Sequence, residues 1–234
     1  MAVAVIMVMA ACNNKENKGD ENKAEEKKEE TKPVAAAKPA PLGPYKAVLV
    51  EHTVKDYDAW YKVFKASDSI PKAYGLSDPS VGRGLDNDKD VFVYTMAADI
   101  QKAREFAKSP ALKAAMAKSG VTSKPTISYL DVLWDDTSSI PQHERLMVVH
   151  HVKDYDTWKK AFDAEGDSAR ATNGIVLRAL ARGVDDAKTV TILFAVTDMA
   201  KAKARVGSPD LKKIMTDAGV DGPPTITWFK WANN

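Results

Sequence analysis

Val54-Lys55-Asp56-Tyr57-Asp58-Ala59-Trp60 comes back as Val152-Lys153-Asp154-Tyr155-Asp156-Thr157-Trp158, an offset of 98 (152 less 54). Residues 50–66 set against 148–164 give 11 identities in 17 positions. Chance does not produce that run, so the chain carries two copies of one unit. Asp56 and Asp154 are placed to cap a helix N-terminus, and Asp58 and Asp156 follow in the first turn, where negative charge suits the helix dipole. Tyr57, Trp60, Tyr61 and Phe64 stand at i, i+3, i+4 and i+7, one apolar helical face. Tyr155, Trp158 and Phe162 repeat it, with Lys159 in place of one member. Ala47-Val48-Leu49-Val50 and Leu146-Met147-Val148-Val149 precede the two copies as buried strands. Each unit therefore opens strand, tight turn, helix, with Trp60 and Trp158 as core anchors or as surfaces on which a ligand stacks.

At 234 residues the chain has room for one large or two small domains. Its net charge of +2, with no basic cluster left unbalanced by acids, argues against a nucleic-acid surface. The opening run, from Ala2 to Ala11 and ending at Cys12, the single cysteine, is apolar. Eleven helical residues span about 17 Å, too short for a bilayer core of about 30 Å, so the run reads as a secretory signal. Met9-Ala10-Ala11-Cys12 resembles the lipobox of bacterial lipoproteins, in which the cysteine is lipidated and becomes the mature N-terminus. The usual leucine is a methionine here and the basic n-region is missing, which fits a true start upstream. Residues 13–32 are almost all Lys, Glu, Asp and Asn, and 33–44 turn to Ala and Pro; neither stretch can bury a core, so together they form a tether. A lone cysteine also excludes an intramolecular disulfide.

The organisation is then a signal segment at 1–12, a linker at 13–44, repeat one at 45–135, a connector at 136–144 and repeat two at 145–234. In repeat one the first helix is followed by a hairpin around Asp86-Asn87-Asp88-Lys89. Asp99 opens a second helix, Ser109-Pro110 starts another, Gly120 stops it, and Thr126 leads the last strand. Repeat two copies this order, so each unit is β-α-β-β-α-β, ferredoxin-like, and the chain is α+β.

The stretch from His52 to Phe64 with Ser109-Pro110-Ala111-Leu112 and Gly120-Val121, matched by His150 to Phe162 with Ser208-Pro209-Asp210-Leu211 and Gly219-Val220, resembles the dimeric α+β barrel superfamily. That superfamily includes antibiotic-biosynthesis-type and haem-degrading monooxygenases. Its members pair two such units into one barrel, so two copies on one chain imply an intramolecular pseudo-dimer and a monomer in solution. The resemblance is specific for fold and weak for activity.

His52 and His150 stand at equivalent positions near the end of each first strand, on one face with Val50 and Val148, while His151 points the other way. If that face lines the barrel, two imidazoles look into one cavity and orient a polar ligand or move protons near neutral pH; the alternative is that each caps its own turn by bonding backbone groups. Arg83 and Arg182, each followed by Gly, are placed to meet an anionic ligand or to pair with Asp86 and Asp185 across the turn. Tyr129 and Trp228 read as core or barrel filling. No metal is expected, since no further ligand stands at the right spacing, and no cofactor motif is present. Superfamily monooxygenases gather an Asn, a Trp and a His, but Asn87 and Asn173 do not correspond, which weakens that reading. The expectation is an exported, lipid-anchored protein of the bacterial cell envelope whose barrel binds a small, largely apolar molecule. A cofactor-free monooxygenase or isomerase is the alternative, and a filled structural or protein-contact module the third.

Overall fold

The repeated stretch does locally what its residues dictate. In a computed structural model that describes residues 40–67 and 69–232, Tyr45–Thr53 forms β1 and Tyr57–Ala66 forms α1. Asp56 caps α1 by accepting from the Ala59 amide, and Asp154 does the same for Thr157 at the start of α5 (Tyr155–Thr172). The remaining elements are α2 (Ser69–Lys72), β2 (Leu76–Gly84), β3 (Asp90–Ala97), α3 (Ile100–Lys108), α4 (Pro110–Ser119) and β4 (Thr126–Asp135). The second half continues with β5 (Glu144–Val152), β6 (Ile175–Gly183), β7 (Thr189–Val196), α6 (Met199–Val206), α7 (Pro209–Asp217) and β8 (Val220–Trp231). Asp99 and Ser109 cap α3 and α4, and Gly120 closes α4 with φ of 78°, a left-handed conformation that glycine adopts without strain.

All eight strands pair antiparallel in a closed barrel ordered β1-β3-β2-β8-β5-β7-β6-β4. The chain is thus a dimeric-type α+β barrel made by two ferredoxin-like units on one polypeptide, joined at β2–β8 and β4–β6. Closure leaves neither unit with an open sheet edge. Gly82 matters at the first seam: a Cβ there would meet Phe229 Cδ2 at 2.5 Å, so only glycine lets the Phe229 ring lie inside the barrel against Phe92. Two ion pairs cross between the units in matching positions, from Arg104 on α3 to Asp185 and from Lys203 on α6 to Asp86.

Each strand buries both faces, one toward the barrel interior and one toward its helices. Ala47, Leu49, Phe92, Leu130, Met147 and Phe229 form the inner core. On the outer side the second unit holds one continuous cluster, around Trp158, Phe194 and Trp228. The outer core of the first unit is split in two, one part around Trp60 and one around Val48 and Ala103. Both tryptophans are buried as anchors. Tyr129 and Trp228 lie on this outer side and not in the barrel, under Arg104 and Lys203 respectively. Among the described residues no helix is long and apolar enough to cross a membrane. Cys12 and the tether up to residue 39 lie outside the described residues.

Candidate functional site

His52 and His150 do not share a cavity. His52 pairs across to Val91 and His150 to Val190, both outward-facing members of the helix-side cores, so each imidazole points into the layer between sheet and helices of its own unit. The expectation of two imidazoles meeting inside the barrel fails because the alternation that puts them with Val50 and Val148 puts all of them on the outer face. The turn-capping alternative fails as well. Neither nitrogen of either ring has a hydrogen-bond partner in the protein, although His52 is only 7% exposed and His150 6%. Each ring instead packs on its own tryptophan, with centroids 5.4 Å apart for His52–Trp60 and 5.3 Å for His150–Trp158. Burial disfavours the imidazolium and pushes both pKa values down to about 4, so both rings are neutral at pH 7.

The two sites differ in what surrounds the ring. In the first unit a cavity of about 130 Å³ separates the two halves of the outer core, lined by His52, Trp60, Thr95, Phe106, Met116 and other apolar side chains. The cause lies in a few positions, matched at an offset of 98 on the first strand (146 less 48) and of 99 beyond the first helix (194 less 95). Thr95 stands where the second unit has Phe194, a buried ring of the continuous cluster, and Val48 where it has Leu146. Pro71, Phe106 and Ala111 stand where it has Arg170, Arg205 and Asp210. Those three belong to a charged lattice that ties the second unit's helices together: Arg170 stacks on Phe162 at 3.9 Å and bonds its carbonyl, and Arg205 bridges Glu165 at 3.0 Å and Asp210 at 2.8 Å. The first unit has neither the ring nor the lattice. Its walls are apolar, and the free nitrogens of His52 are the unsatisfied polar atoms on them; Thr95 and Ser119 donate to the Ser77 and Met116 carbonyls.

Arg83 and Arg182 line neither this cavity nor the barrel interior. Arg83 binds Asp88, not Asp86, through its carboxylate at 2.8 Å and its carbonyl at 2.7 Å, and lies over Tyr57. Arg182 donates to the Ala187 carbonyl at 2.6 Å and lies over Tyr155, while the expected partner Asp185 is taken by Arg104. A strand arginine reaches the residue that the turn folds back over it, which is not the first acid of the turn. Asn87 bonds within its own turn, and Asn173 caps the end of α5. His151 faces Asp186 and Asp221 at the surface. Among the described residues no three His, Cys, Asp or Glu side chains are grouped to hold a metal.

Thr95 and the buried Arg170, Arg178 and Arg145 were not singled out from the sequence. Comparing the two copies position by position exposes all four, because Thr95 faces Phe194 and Pro71, Ala47 and Pro79 face Arg170, Arg145 and Arg178.

No protein-family model and no curated protein matches the chain. Solved structures do. A candidate monooxygenase from Lactobacillus acidophilus NCFM superposes with a TM-score of 0.55 at 14% identity, covering 82% of this chain and 95% of that one. An anthrone oxidase-like protein superposes with a TM-score of 0.56 at 15% identity, covering 82% and 92%. Likeness at these identities establishes the shared α+β barrel fold.

Proposed function

We propose that the first unit binds a small molecule of about one aromatic ring with a hydroxyl group, held between sheet and helices with His52 as its polar partner. The observation that carries this is the buried, neutral, unpartnered imidazole on the wall of an otherwise apolar cavity. An engineered apolar cavity of about 150 Å³ binds benzene, which sets the size class. A hydroxyl able to donate to or accept from imidazole would satisfy a group whose isolation costs about 1–3 kcal/mol. Trp60 supplies a ring face beside it. Ligand-observed NMR with p-cresol and toluene tests the reading: p-cresol should bind more tightly than toluene, and His52→Leu should erase the difference while toluene binding persists. Equal affinities in the wild-type protein would refute the role of His52.

A cofactor-free oxygenase or isomerase is the second reading, favoured by the same imidazole. Neutral at pH 7, it is in the state required of a base that takes a proton from a bound phenol. The superposed structures include a candidate monooxygenase and an anthrone oxidase-like protein, which fits that chemistry. Oxygen uptake or isomer formation with bound phenols, lost in His52→Leu, would support it; turnover unchanged in that variant would exclude His52 as the base.

The barrel is further proposed to be exported and held at a bacterial membrane through lipidated Cys12, with the tether setting it off the surface. Cys12→Ala should then move the protein from the membrane fraction to the soluble fraction, since the lipid chains supply the anchoring energy. Both units being on one chain, the folded region is proposed to be a monomer, which light scattering can check.

A further inference from the structure

The barrel encloses a second cavity, of about 660 Å³, separate from the one beside His52. Its depth is apolar, with Leu49, Leu130, Met147, Leu193 and Phe229 facing one another across the barrel. One end is different. There the connector between the units, 136–143, lies over the opening, and two arginines reach in beneath it.

Arg178 sits at an irregularity in the β6–β7 pairing, between Leu177 and Ala179, which turns its side chain toward the connector. It is fully engaged: its guanidinium meets Asp136 at 3.2 Å and Ser138 Oγ at 3.3 Å, and it also bonds the Ser138 carbonyl. Arg145 is 5% exposed and has no carboxylate within ion-pair distance among the described residues. One of its amino groups donates to the Gln142 and Glu144 carbonyls at 2.7 and 2.9 Å, while its Nε and other amino group have no acceptor among the described residues. Burial, together with the like-charged Arg178 and against the opposing pull of Glu144, lowers the Arg145 pKa to about 10; Asp135 and Asp136 line the same cavity, Asp136 being held by Arg178. A guanidinium in such a place normally has a carboxylate, because desolvating an unpaired charge is costly. Its free donors are in the fork geometry that fits two oxygens of an oxyanion.

We infer that the barrel interior is a binding site for an amphipathic anion, its oxyanion head on Arg145 beside Arg178 and its apolar body among Leu49, Met147, Leu193 and Phe229. A carboxylate and a phosphate monoester share the required head. This site is independent of His52.

Isothermal titration of the full chain with decanoate, decyl phosphate, decanol and inorganic phosphate tests it. Decanoate or decyl phosphate should bind at one site per chain, the tighter of the two identifying the head group, with decanol and inorganic phosphate at least tenfold weaker. Arg145→Gln should weaken the anion at least tenfold, whereas Thr95→Phe, which fills the other cavity, should leave it unchanged. Decanol binding as well as decanoate would overturn the role of the arginines. Inorganic phosphate binding equally well would overturn the role of the apolar body. Loss of decanoate binding in Thr95→Phe would place the anion beside His52 and overturn the assignment. These arms use the wild-type chain or a variant whose side chain lies outside the barrel interior, so they decide the matter even if Arg145→Gln fails to fold.

Discussion

Replacing Thr95 with Phe should convert the first unit into a copy of the second at the position that matters most. Thr95 is buried on the outer face of β3, opposite Val48, and its hydroxyl donates to the Ser77 carbonyl at 2.7 Å. Phe194 occupies the equivalent place in the second unit without distorting the barrel. Cavities cost about 24 cal/mol per Å³, so the 130 Å³ beside Thr95 represents about 3 kcal/mol relative to a filled core. Losing the hydroxyl and leaving the Ser77 carbonyl without its donor costs about 1 kcal/mol. Because the ring fills only part of the space, the expected net gain is about 1–2 kcal/mol. At this chain length that raises Tm by roughly 2–8 °C. Calorimetry reads the stability, and ligand-observed NMR reads p-cresol binding, which should disappear. The variant should trade binding for stability: it melts higher and no longer binds p-cresol. A lower Tm with p-cresol affinity intact would refute it, since the ring would then have met atoms where the cavity is placed and the phenol would bind elsewhere.

Acid should unfold the protein partly through its two buried histidines. Their folded pKa of about 4 lies below the unfolded value of about 6.5, so the stability they contribute is fully present above pH 6.5 and is lost as pH falls toward 4. At pH 4 the loss is about 3 kcal/mol per histidine; His52→Leu and His150→Leu should each flatten the denaturant-midpoint profile between pH 7 and 4, and unchanged profiles would contradict the burial argument. Trp60→Ala and Trp158→Ala should each cost about 3–5 kcal/mol in urea denaturation, the range for a large aromatic removed from a core. Gly82→Ala should be strongly destabilising because its Cβ meets the Phe229 ring, and Phe229→Leu in the same chain should restore part of the loss. Additive costs in that double variant would show that the ring is not the obstacle.

The duplication was legible because local chemistry repeats. An Asp before a Tyr-x-x-Trp face caps a helix wherever it occurs, and Ser-Pro restarts one. Hence the element order and the starts of the capped helices could be reached from residues alone, while the barrel followed from the resemblance to the dimeric α+β barrel superfamily and the four-residue α2 was not foreseen. The histidines were correctly grouped with Val50 and Val148 but assigned to the wrong side of the sheet. Period-two alternation says which residues share a face; it does not say which face looks inward when both are apolar, as they are in a barrel wrapped by helices. The arginine partners were missed for a related reason: the turn after β2 brings Asp88, not Asp86, back over Arg83.

The sequence by itself determined that this chain is two ferredoxin-like units, where the capped helices begin, and that His52 shares a strand face with Val50 and His150 with Val148. Those are short-range matters of capping, periodicity and repetition, and they hold regardless of what packs against them. Only the tertiary structure decided that the first unit holds a cavity where the second has one continuous core, because that depends on summing the volumes of Thr95, Val48, Pro71 and Phe106, which lie on different elements. It alone decided, too, that Arg145 is buried with no ion-pair partner among the described residues. Whether a guanidinium finds a carboxylate depends on which side chains a closed barrel brings within a few ångströms of it, and no spacing along the chain encodes that distance.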